Sequence, residues 1–390
     1  MRFPEFVDEW EEYMLSDFVE RVKRKNKNNL CKLPLTISAQ YGLVDQISFF
    51  NKVIASENMS NYYLLHKGDF AYNKSYSSEY PWGAIKRLDR YEQGTLSSLY
   101  ICFKPYSHVS SDFLTHYFET SKWHQGISEI AVEGARNHGL LNVGIQDFFE
   151  TMHCLPQNLL EQEKIAKFLN LIEERIATQN KIIEDLKKLK SAISKQAFAQ
   201  KPNGWNRLDT LFSKGKAGGT PTSTNKEYYN GEIPFLSIND ITKQGKYVRY
   251  TENHLSRSGL ENSSAWVVPE YSLIISMYAS VGLVTINEVP ITTSQAMFAM
   301  QLRDKDLLDY LYYYLSYFKY RHIHKYLETG TQSNINADIV RGIMIPTYGH
   351  SRNMKIASTL QGIDAKIDNE LSVLKLFNRQ KNYLLSQMFI

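Results

Sequence analysis

The chain has 390 residues, enough for two or three domains with sizeable cores. A net charge of +4 and a 22% share of charged residues are ordinary, so charge alone does not indicate a nucleic-acid-binding protein. No apolar run is long enough to cross a membrane, and Cys31, Cys102 and Cys154 lack metal-ligand spacing. We expect a soluble, cytoplasmic protein whose thiols stay reduced.

Residues 1–157 are predicted to form a first globular domain, here called the first head. From Leu33 to Phe103, short segments rich in Ile, Val, Tyr and Phe alternate with Gly and Asn, a pattern typical of β-strands. A Lys67-Gly68 turn separates two of them. The basic run 21–27 is interpreted as a solvated loop, with phosphate contact as the alternative. Polar loops follow at 73–83 and 126–139, and Trp82 is expected in the core.

Residues 158–200 carry the longest regular pattern in the chain. From Glu161 to Phe198 there is no Gly or Pro, and apolar residues recur at alternating spacings of three and four. This spacing is typical of a coiled-coil seam rather than of an ordinary surface helix. Asn158 and Glu161 predict a capping box at the start of the helix. The helix would be roughly 55 Å long, at about 1.5 Å per residue, and needs a partner to cover its seam.

Residues 201–350, the second head, repeat the plan of the first with different residues, and 351–390 repeat the long helix. Trp205 is expected in the core of the second head, and 307–324 predict an aromatic helix. Lys355–Phe389 aligns without a gap to Lys164–Phe198, at an offset of 191 residues. A fixed period of this kind indicates an internal repeat of globule and helix.

The two long helices also share their polar interruptions. Gln179 is matched by Glu370, and Lys190 by Lys381. Polar residues at seam positions cost stability but fix the register, so shared interruptions favour a duplication over two unrelated amphipathic helices. The predicted seam comprises Ile165, Leu169, Ile172, Ile176, Ile183, Leu186, Ile193, Ile356, Leu360, Ile363, Ile367, Leu374, Phe377 and Leu384. The predicted fold class is α+β, with two globular domains separated by two long helices that pair as an antiparallel coiled coil.

Motifs for catalysis are missing from the sequence. The segment 214–220 lacks the residue order of a phosphate-binding loop and is interpreted as a tight turn before a strand. No base-methylation motif, nucleophile elbow or convincing Cys–His pair is present. His322 and His324 are expected on different faces of a helix, which makes them a poor metal pair. We therefore predict no catalytic residues and no metal site, and interpret the chain as a reader rather than a catalyst.

The second head resembles the target-recognition pattern of type I restriction-modification specificity subunits. The resemblance rests on the phrases 218–221, 228–235, 239–241, 280–282 and 292–296, and on an Ile-Pro step before the final helix. The first head resembles a divergent member through 67–73 and 133–139. The first long helix is entered through Pro156-Gln157 and the second through Pro346-Thr347, where the family has two prolines, and neither departure touches the seam.

This resemblance implies a subunit without its own catalytic centre or cofactor. Each head, a target-recognition domain, would read one half of a bipartite target in double-stranded DNA, and the helices would set the unread spacer. The helices would also dock modification (methyltransferase) subunits, two of them, which carry S-adenosylmethionine. Restriction (endonuclease and translocase) subunits would join and use ATP and Mg.

Polar residues on loops are the candidates for DNA contact, because a rigid domain presents its functional groups on loops. An arginine can pair with guanine and an asparagine or glutamine with adenine, which makes Arg136, Asn137, Gln295 and Gln332 candidates for base reading. The full set is Lys74, Ser75, Tyr76, Ser77, Arg136, Asn137 and His138 in the first head, and Lys216, Thr220, Ser223, Lys243, Ser280, Gln295, Thr331, Gln332 and Asn334 in the second.

Two other classes of function stay open. The chain could be a structural scaffold whose coiled coil joins protein-binding heads, in which case salt-sensitive binding to duplex DNA is not expected. It could also be an enzyme with an unrecognised centre in one head, in which case the isolated chain would show turnover that depends on a single residue.

Overall fold

A computed structural model describes residues 1–131, 139–326 and 334–389. The described chain forms two compact units, residues 1–180 with 373–390, and residues 181–372. Each unit contains one head and one half of each long helix. The two-headed α+β fold with paired long helices, predicted from the sequence, is confirmed.

The head of the first unit combines short strands with short helices. Its elements are β1 (Glu11–Met14), α1 (Leu15–Phe18), β2 (Val19–Arg21), β3 (Leu35–Ser38), β4 (Gly42–Asp45), α2 (Gln46–Phe50), β5 (Tyr63–His66), β6 (Phe70–Asn73), β7 (Ala84–Arg87), β8 (Gln93–Leu96), β9 (Ile101–Pro105), α3 (Ser111–Tyr117), α4 (His124–Ile130), α5 (Ile145–Phe149) and β10 (Met152–Leu155). An antiparallel four-stranded sheet has the order β2, β9, β6, β7, and the smaller pairs are β3–β4, β5–β8 and β1–β10. Phe70 and Phe103 stack in the core, as do Tyr72 and Phe148, with ring centroids 5.5 Å and 4.9 Å apart.

The head of the second unit contains two larger sheets. Its elements are β11 (Gly204–Arg207), α7 (Leu208–Leu211), β12 (Phe212–Ala217), β13 (Tyr229–Leu236), α8 (Ile238–Gln244), β14 (Tyr247–Val248), β15 (Asn253–Leu255), α9 (Arg257–Glu261), β16 (Leu273–Ser276), β17 (Val284–Asn287), β18 (Thr292–Thr293), β19 (Met297–Leu302), α10 (Leu308–Arg321), α11 (Ala337–Gly342) and β20 (Met344–Thr347). One sheet has five strands in the order β12-β19-β16-β17-β14, and the other has three in the order β15-β13-β18. The aromatic helix predicted at 307–324 is α10, and it buries Tyr310, Tyr314 and Phe318.

Both heads begin and end in the same way. β1 pairs antiparallel with β10 in the first, and β11 with β20 in the second. The amide of Leu15 then donates to the carbonyl of Thr151, and the amide of Leu208 to that of Ile343, at 2.9 Å in each case. In each head, the first strand therefore pairs with the last strand, which directly precedes a long helix. This shared closure fits the predicted duplication.

One local expectation is corrected by the structure, and another, the turn at Gly68, is confirmed. Trp205, expected in the core, lies on β11 and is 54% exposed, because a two-stranded ribbon leaves one of its faces uncovered. Gly68 does turn the chain, at φ +91°, but the strands β5 and β6 on either side do not pair with each other. β5 pairs instead with β8, and β6 with β7 and β9.

The long helices are α6 (Leu159–Phe198) and α12 (His350–Met388). In the first unit, Ile165, Leu169 and Ile172 of α6 share a core with Leu384 of α12. In the second unit, Leu360 of α12 shares a core with Phe198 and Ile193 at the end of α6. The start of one helix therefore packs with the end of the other, and the pairing is antiparallel. All fourteen predicted seam residues are buried or half-buried.

The start of α6 differs from the predicted capping box. Asn158 caps the helix, since its Oδ1 accepts from the amide of Leu160 at 2.9 Å. The Glu161 carboxylate does not accept from the amide of Asn158, as a capping box would require. It accepts from Arg2 Nε and Nη2 at 2.7 and 2.8 Å and from Trp10 Nε1 at 3.2 Å. This buried carboxylate joins the N-terminal segment to the helix, a partner that spacing along the helix could not indicate.

Candidate nucleic-acid interface

Four segments of the second head converge on one exposed surface, here called the loop surface: residues 218–224, 277–282, 294–296 and 334–336. Backbone hydrogen bonds join them. The Gly219 amide donates to the Thr293 carbonyl at 2.9 Å, and the Met277 amide to the Ala296 carbonyl at 2.7 Å. The Ile335 amide donates to the Met277 carbonyl at 3.1 Å. The structure thereby joins the segments that carry the predicted residues Thr220, Ser223, Ser280, Gln295 and Asn334.

Gly218 permits the close approach of the first of these segments to β18. A Cβ atom at this position would lie 2.0 Å from the carbonyl oxygen of Thr293 and 2.2 Å from its Oγ1. Any side chain would therefore push 218–224 away from 294–296. The Gly-Gly-Thr-Pro phrase in the sequence is explained by this contact between backbones.

The segment 277–282 has an unusual backbone. Ala279 and Ser280 adopt φ angles of +39° and +52°, a region that costs free energy for residues other than glycine. The buried Ser276 hydroxyl holds the turn from within: it donates to the Ser280 carbonyl at 2.7 Å and accepts from the Leu283 amide at 3.0 Å. The turn exposes Ser280 and also Tyr278, which is 40% exposed.

Thr220 and Gln295 contact each other through their side chains. The Thr220 hydroxyl donates to Gln295 Oε1. Both residues are exposed, so the amide of Gln295 faces solvent while its Oε1 atom accepts from Thr220. This is a hydrogen bond between two residues that the sequence indicated separately.

Two lysines lie beside the loop surface on β12, an edge strand. Lys216 Nζ donates to the Ser264 carbonyl at 3.4 Å, and Lys214 Nζ lies 4.3 Å from the centre of the Trp266 ring. Residues i and i+2 of a strand point to the same face, so the two charges are neighbours. Within the described ranges neither lysine has a carboxylate partner. Lys214 was not predicted from the sequence as a DNA contact. Its position two residues before Lys216 in a strand could have indicated that both lysines lie on the same face.

Lys243 occupies a different setting from Lys216. It lies on α8, where the Glu252 carboxylate hydrogen-bonds its ammonium group and raises its pKa. Its charge is therefore balanced locally. Lys243 as a DNA contact stays a prediction.

In the first head, the predicted loop after β6 pairs with a second segment. The Leu141 amide donates to the Lys74 carbonyl at 2.9 Å, and the Tyr76 amide to the Gly139 carbonyl at 3.0 Å. Ser75, Tyr76 and Ser77 are exposed and Lys74 is half-buried. The predicted residues Arg136, Asn137 and His138, like Thr331 and Gln332 of the second head, lie outside the described residues.

The basic run 21–27 is not the solvated loop that the sequence suggested. Arg24 forms an ion pair with the buried Asp69, and Lys25 Nζ lies 3.7 Å from the centre of the Tyr63 ring. Asn26 is buried and hydrogen-bonds both backbone groups of Cys31. Arginine and lysine can cover aromatic and polar groups with their long side chains, so a run of charges can be structural.

The described residues contain no group of three or more His, Cys, Asp or Glu residues that could hold a metal ion. Among the same residues, no helix has the length and apolar character needed to traverse a bilayer.

The architecture combines two globular heads with a pair of antiparallel long helices. Residues 202–375 match the family model described as the type I restriction modification DNA specificity domain. The match covers the second head and most of α12, so this part of the chain is similar to the specificity domain of type I restriction-modification systems.

Specificity subunits of type I systems are also among the relatives to which the chain is similar. The chain is 25% identical over 178 residues to the type I restriction enzyme MjaIX specificity subunit of Methanocaldococcus jannaschii, an alignment of 44% of this chain and 40% of the relative. It is 32% identical over 113 residues to the HindI specificity subunit of Haemophilus influenzae, 28% of this chain and 24% of the relative. These alignments span less than half of each relative.

Two solved structures share the fold over nearly the whole chain. One, from a study of the assembly and conformational transition of a type I restriction-modification system, has a TM-score of 0.62, 18% identity, and coverage of 98% of this chain and 97% of its own. The other, the S subunit from M. genitalium, has a TM-score of 0.57, 14% identity, and coverage of 100% and 98%. At this identity they show the fold alone.

Proposed function

We propose that this chain is the DNA sequence-specificity subunit of a type I restriction-modification complex. Each head reads one half of a bipartite target in double-stranded DNA. The observation that carries the proposal is the contrast between a shared framework and divergent loops: β1–β10 and β11–β20 close the two heads alike, while the exposed loops above them differ in length and residues. Equivalent frameworks with different loops suit the reading of two different half-sites.

The loop surface supports a reading role by its chemistry. Thr220, Ser280 and Gln295 present hydroxyl and amide groups, which can pair with base edges in a groove. Lys214 and Lys216 lie beside them without a carboxylate partner in the described part of the chain, which leaves their charge available to phosphates. Phosphate contacts position a domain on the duplex and base contacts specify the sequence, and both kinds of group are found on one side of this head.

Catalysis belongs to partner subunits in this proposal. The paired helices dock modification subunits, expected to be two, which bind S-adenosylmethionine and methylate adenine, and they set the unread spacer between the half-sites. Restriction subunits supply ATP- and Mg-dependent translocation and cleavage. The chain itself needs no cofactor, acts as a non-catalytic subunit, and works in the cytoplasm where the DNA is.

The test is a methylation map of a genome exposed to the complex that co-purifies with the full chain. The proposal expects adenine methylation at one bipartite motif. Exchange of residues 201–350 for the second head of a relative should change one half of that motif and leave the other half intact. A complex that assembles but methylates no motif would overturn the proposal.

A specific feature favours the scaffold alternative, and the same experiment separates it. Tyr41, Phe49, Phe50, Val53 and Ile54 form an exposed apolar patch around α2, and patches of this kind often mark protein contacts. A scaffold would tolerate the head exchange without any change in methylation, and its binding to duplex DNA would not fall with salt.

A further inference from the structure

We propose that the apolar patch around α2 binds the same patch of a second copy of this chain, so that two first heads pair about a two-fold axis. The patch lies within the first unit and consists of Tyr41, Phe49, Phe50, Val53 and Ile54. The inference goes beyond the proposed function and does not depend on it.

The apolar side chains of the patch are contiguous and open to solvent. Val53 is 71% exposed, Tyr41 58%, Ile54 49%, and Phe49 and Phe50 are each 44% exposed. The rings contact edge to face, with centroids 6.4 Å apart for Tyr41 and Phe49 and 5.0 Å apart for Phe49 and Phe50. Single apolar residues on a surface need no explanation, whereas a contiguous group of them marks a contact site.

The backbone under the patch is held in place. α2 begins at the Asp45 cap, whose Oδ1 accepts from the Ile47 amide at 3.0 Å and whose Oδ2 accepts from the Ser48 hydroxyl at 2.5 Å. The Gln46 amide donates to the Pro34 carbonyl at 2.8 Å, which ties α2 to the residue before β3. A surface that is already formed loses little conformational entropy when it binds.

The charges around the patch favour a second copy over other partners. Residues 39–57 include three charged side chains, and the first of them, Asp45, caps α2. The other two, Lys52 and Glu57, are exposed, and neither forms an ion pair within the described ranges. One cation and one anion suit neither a phosphate backbone nor an acidic lipid surface, each of which requires several cations. In a two-fold pair the same residues meet twice, so Lys52 of each copy can face Glu57 of the other.

The area of the patch is sufficient for a symmetric pair. Its exposed fractions correspond to roughly 500 Å² of apolar side-chain surface, since an aromatic side chain presents about 150 to 250 Å² in all. Two patches in contact bury roughly twice that area, which reaches the threshold of about 1,000 Å² for a specific interface. We therefore expect a reversible pair, with a dissociation constant of about 10 µM, rather than a permanent dimer.

The patch lies away from the predicted DNA-contacting loop of the same head. β7 begins at Ala84, directly after the loop 73–83, and ends at Arg87. Beyond that end, the Tyr91 hydroxyl accepts from the Asp45 amide at 3.4 Å, which places the start of α2 on this side. The loop and the patch are therefore at opposite ends of β7, so the pairing does not compete with a duplex bound at the loop.

The experiment measures the mass of the full chain, in the complex that co-purifies with it, by sedimentation velocity at increasing concentration. We expect a reversible doubling of mass with a midpoint of about 10 µM. Phe50→Asp buries a charge within the symmetric contact and should weaken the pairing about a hundredfold. Val7→Asp is the matched control, because Val7 is 80% exposed outside the patch, and this variant should pair like the wild type. Both side chains are exposed, so unchanged melting temperatures show that the variants are folded.

A second pair of variants tests the two-fold arrangement. Lys52→Glu and Glu57→Lys should each pair about fivefold more weakly than the wild type, because like charges then face each other. An equimolar mixture of the two variants should recover wild-type pairing, since each copy supplies the charge that the other lacks.

Three outcomes overturn the inference: a mass that stays at one complex at all concentrations, unchanged pairing in Phe50→Asp, or a different protein that co-purifies with the wild type and is lost in Phe50→Asp. A mixture of the charge variants that does not recover pairing overturns the two-fold arrangement. None of these outcomes changes the methylation map, so the proposed function is tested separately.

Discussion

Lys190 Nζ lies 2.5 Å from Asp364 Oδ1, and this ion pair joins α6 to α12 in the second unit. Its counterpart in the first unit joins Lys381 of α12 to Glu173 of α6, also at 2.5 Å. Both residues of one pair are related to those of the other by the offset of 191 residues. The lysine interruptions that the sequence shows in each helix are therefore explained: each lysine meets a carboxylate on the facing helix.

Removal of this pair tests its contribution to stability. We expect loss of the ion pair in Asp364→Ala to lower the free energy of unfolding by about 1 kcal/mol, since both side chains are partly exposed and solvent screens the attraction. The same change removes the acceptor of the Tyr313 hydroxyl, at 2.8 Å from Asp364 Oδ2, which adds to the loss. The doubly reversed variant, Lys190→Asp with Asp364→Lys, should recover in urea unfolding only the part that comes from the ion pair. Lys188→Ala, which breaks only exposed pairs with Glu184 and Asp185 on its own helix, should change little. Equal losses in Asp364→Ala and Lys188→Ala would contradict an interhelical role.

A second prediction concerns the buried Glu161. Arg2→Ala leaves the carboxylate with the Trp10 indole as its donor, and an uncompensated buried charge is costly. We expect the urea midpoint of the first unit to fall, and by more than it does in Asp364→Ala, whose carboxylate is partly exposed. Adding Glu161→Gln to Arg2→Ala removes the charge and should recover part of that loss in the same measurement. A double variant less stable than Arg2→Ala would show that the charge is not the cause.

The third prediction concerns pH. Burial lowers the pKa of His153 to about 4 from an ordinary 6.5, and its ring contacts Tyr117 and Thr151. The unfolded chain takes up a proton near pH 6.5 and the folded chain only near pH 4. The contribution of His153 to the free energy of unfolding is therefore fully present above pH 6.5. It is lost as the pH falls from 6.5 to about 4, by about 3 kcal/mol in total. His153→Gln should flatten the dependence of the melting temperature on pH between 6.5 and 4. Burial lowers the pKa of His116 as well, so some slope will remain.

The fourth prediction compares two lysines of the second head. Lys216→Ala should weaken duplex binding by the complex for all sequences alike and reduce the slope of log affinity against log salt by about 1. Lys243→Ala should have a smaller effect, because Glu252 already balances that charge. The measurement is a salt titration of binding with target and non-target duplexes. A larger effect at Lys243 would place the phosphate contacts on α8 instead of β12.

The fifth prediction addresses Gly218. Gly218→Ala should displace 218–224 from 294–296, because the added Cβ atom meets the Thr293 backbone. We expect the second half-site to lose its definition in the methylation map while the first is kept. Gly245→Ala serves as a control for backbone strain without a steric clash. Its φ is +76°, and no atom of the described residues beyond its chain neighbours would lie within 4 Å of the added Cβ atom. Loss of both half-sites in Gly218→Ala would indicate a general failure of folding.

The sequence by itself determined the long helices, their shared seam and the two-part plan. These features are periodic and local: a heptad pattern and a repeat offset are visible without knowledge of the partner surface. Ile165, Leu169 and Leu360 are buried as the spacing required. The polar loop 73–83 was also recognised as a loop, because glycine and short polar residues mark it. Two similar predictions were wrong in part: 126–130 belongs to α4 rather than to a loop, and 214–217 belongs to β12 rather than to a turn.

Only the tertiary structure decided which distant residues meet. Glu161 has the spacing of a capping box but binds Arg2 and Trp10, and Trp205 looks like a core residue but lies on an exposed ribbon. Thr220 and Gln295 are separated by 75 residues, and no periodicity relates them. A period along the chain reports which face of an element is apolar, whereas a hydrogen bond between loops depends on how strands from different parts of the chain are ordered in a sheet. That order is fixed by long-range packing, which local sequence does not contain.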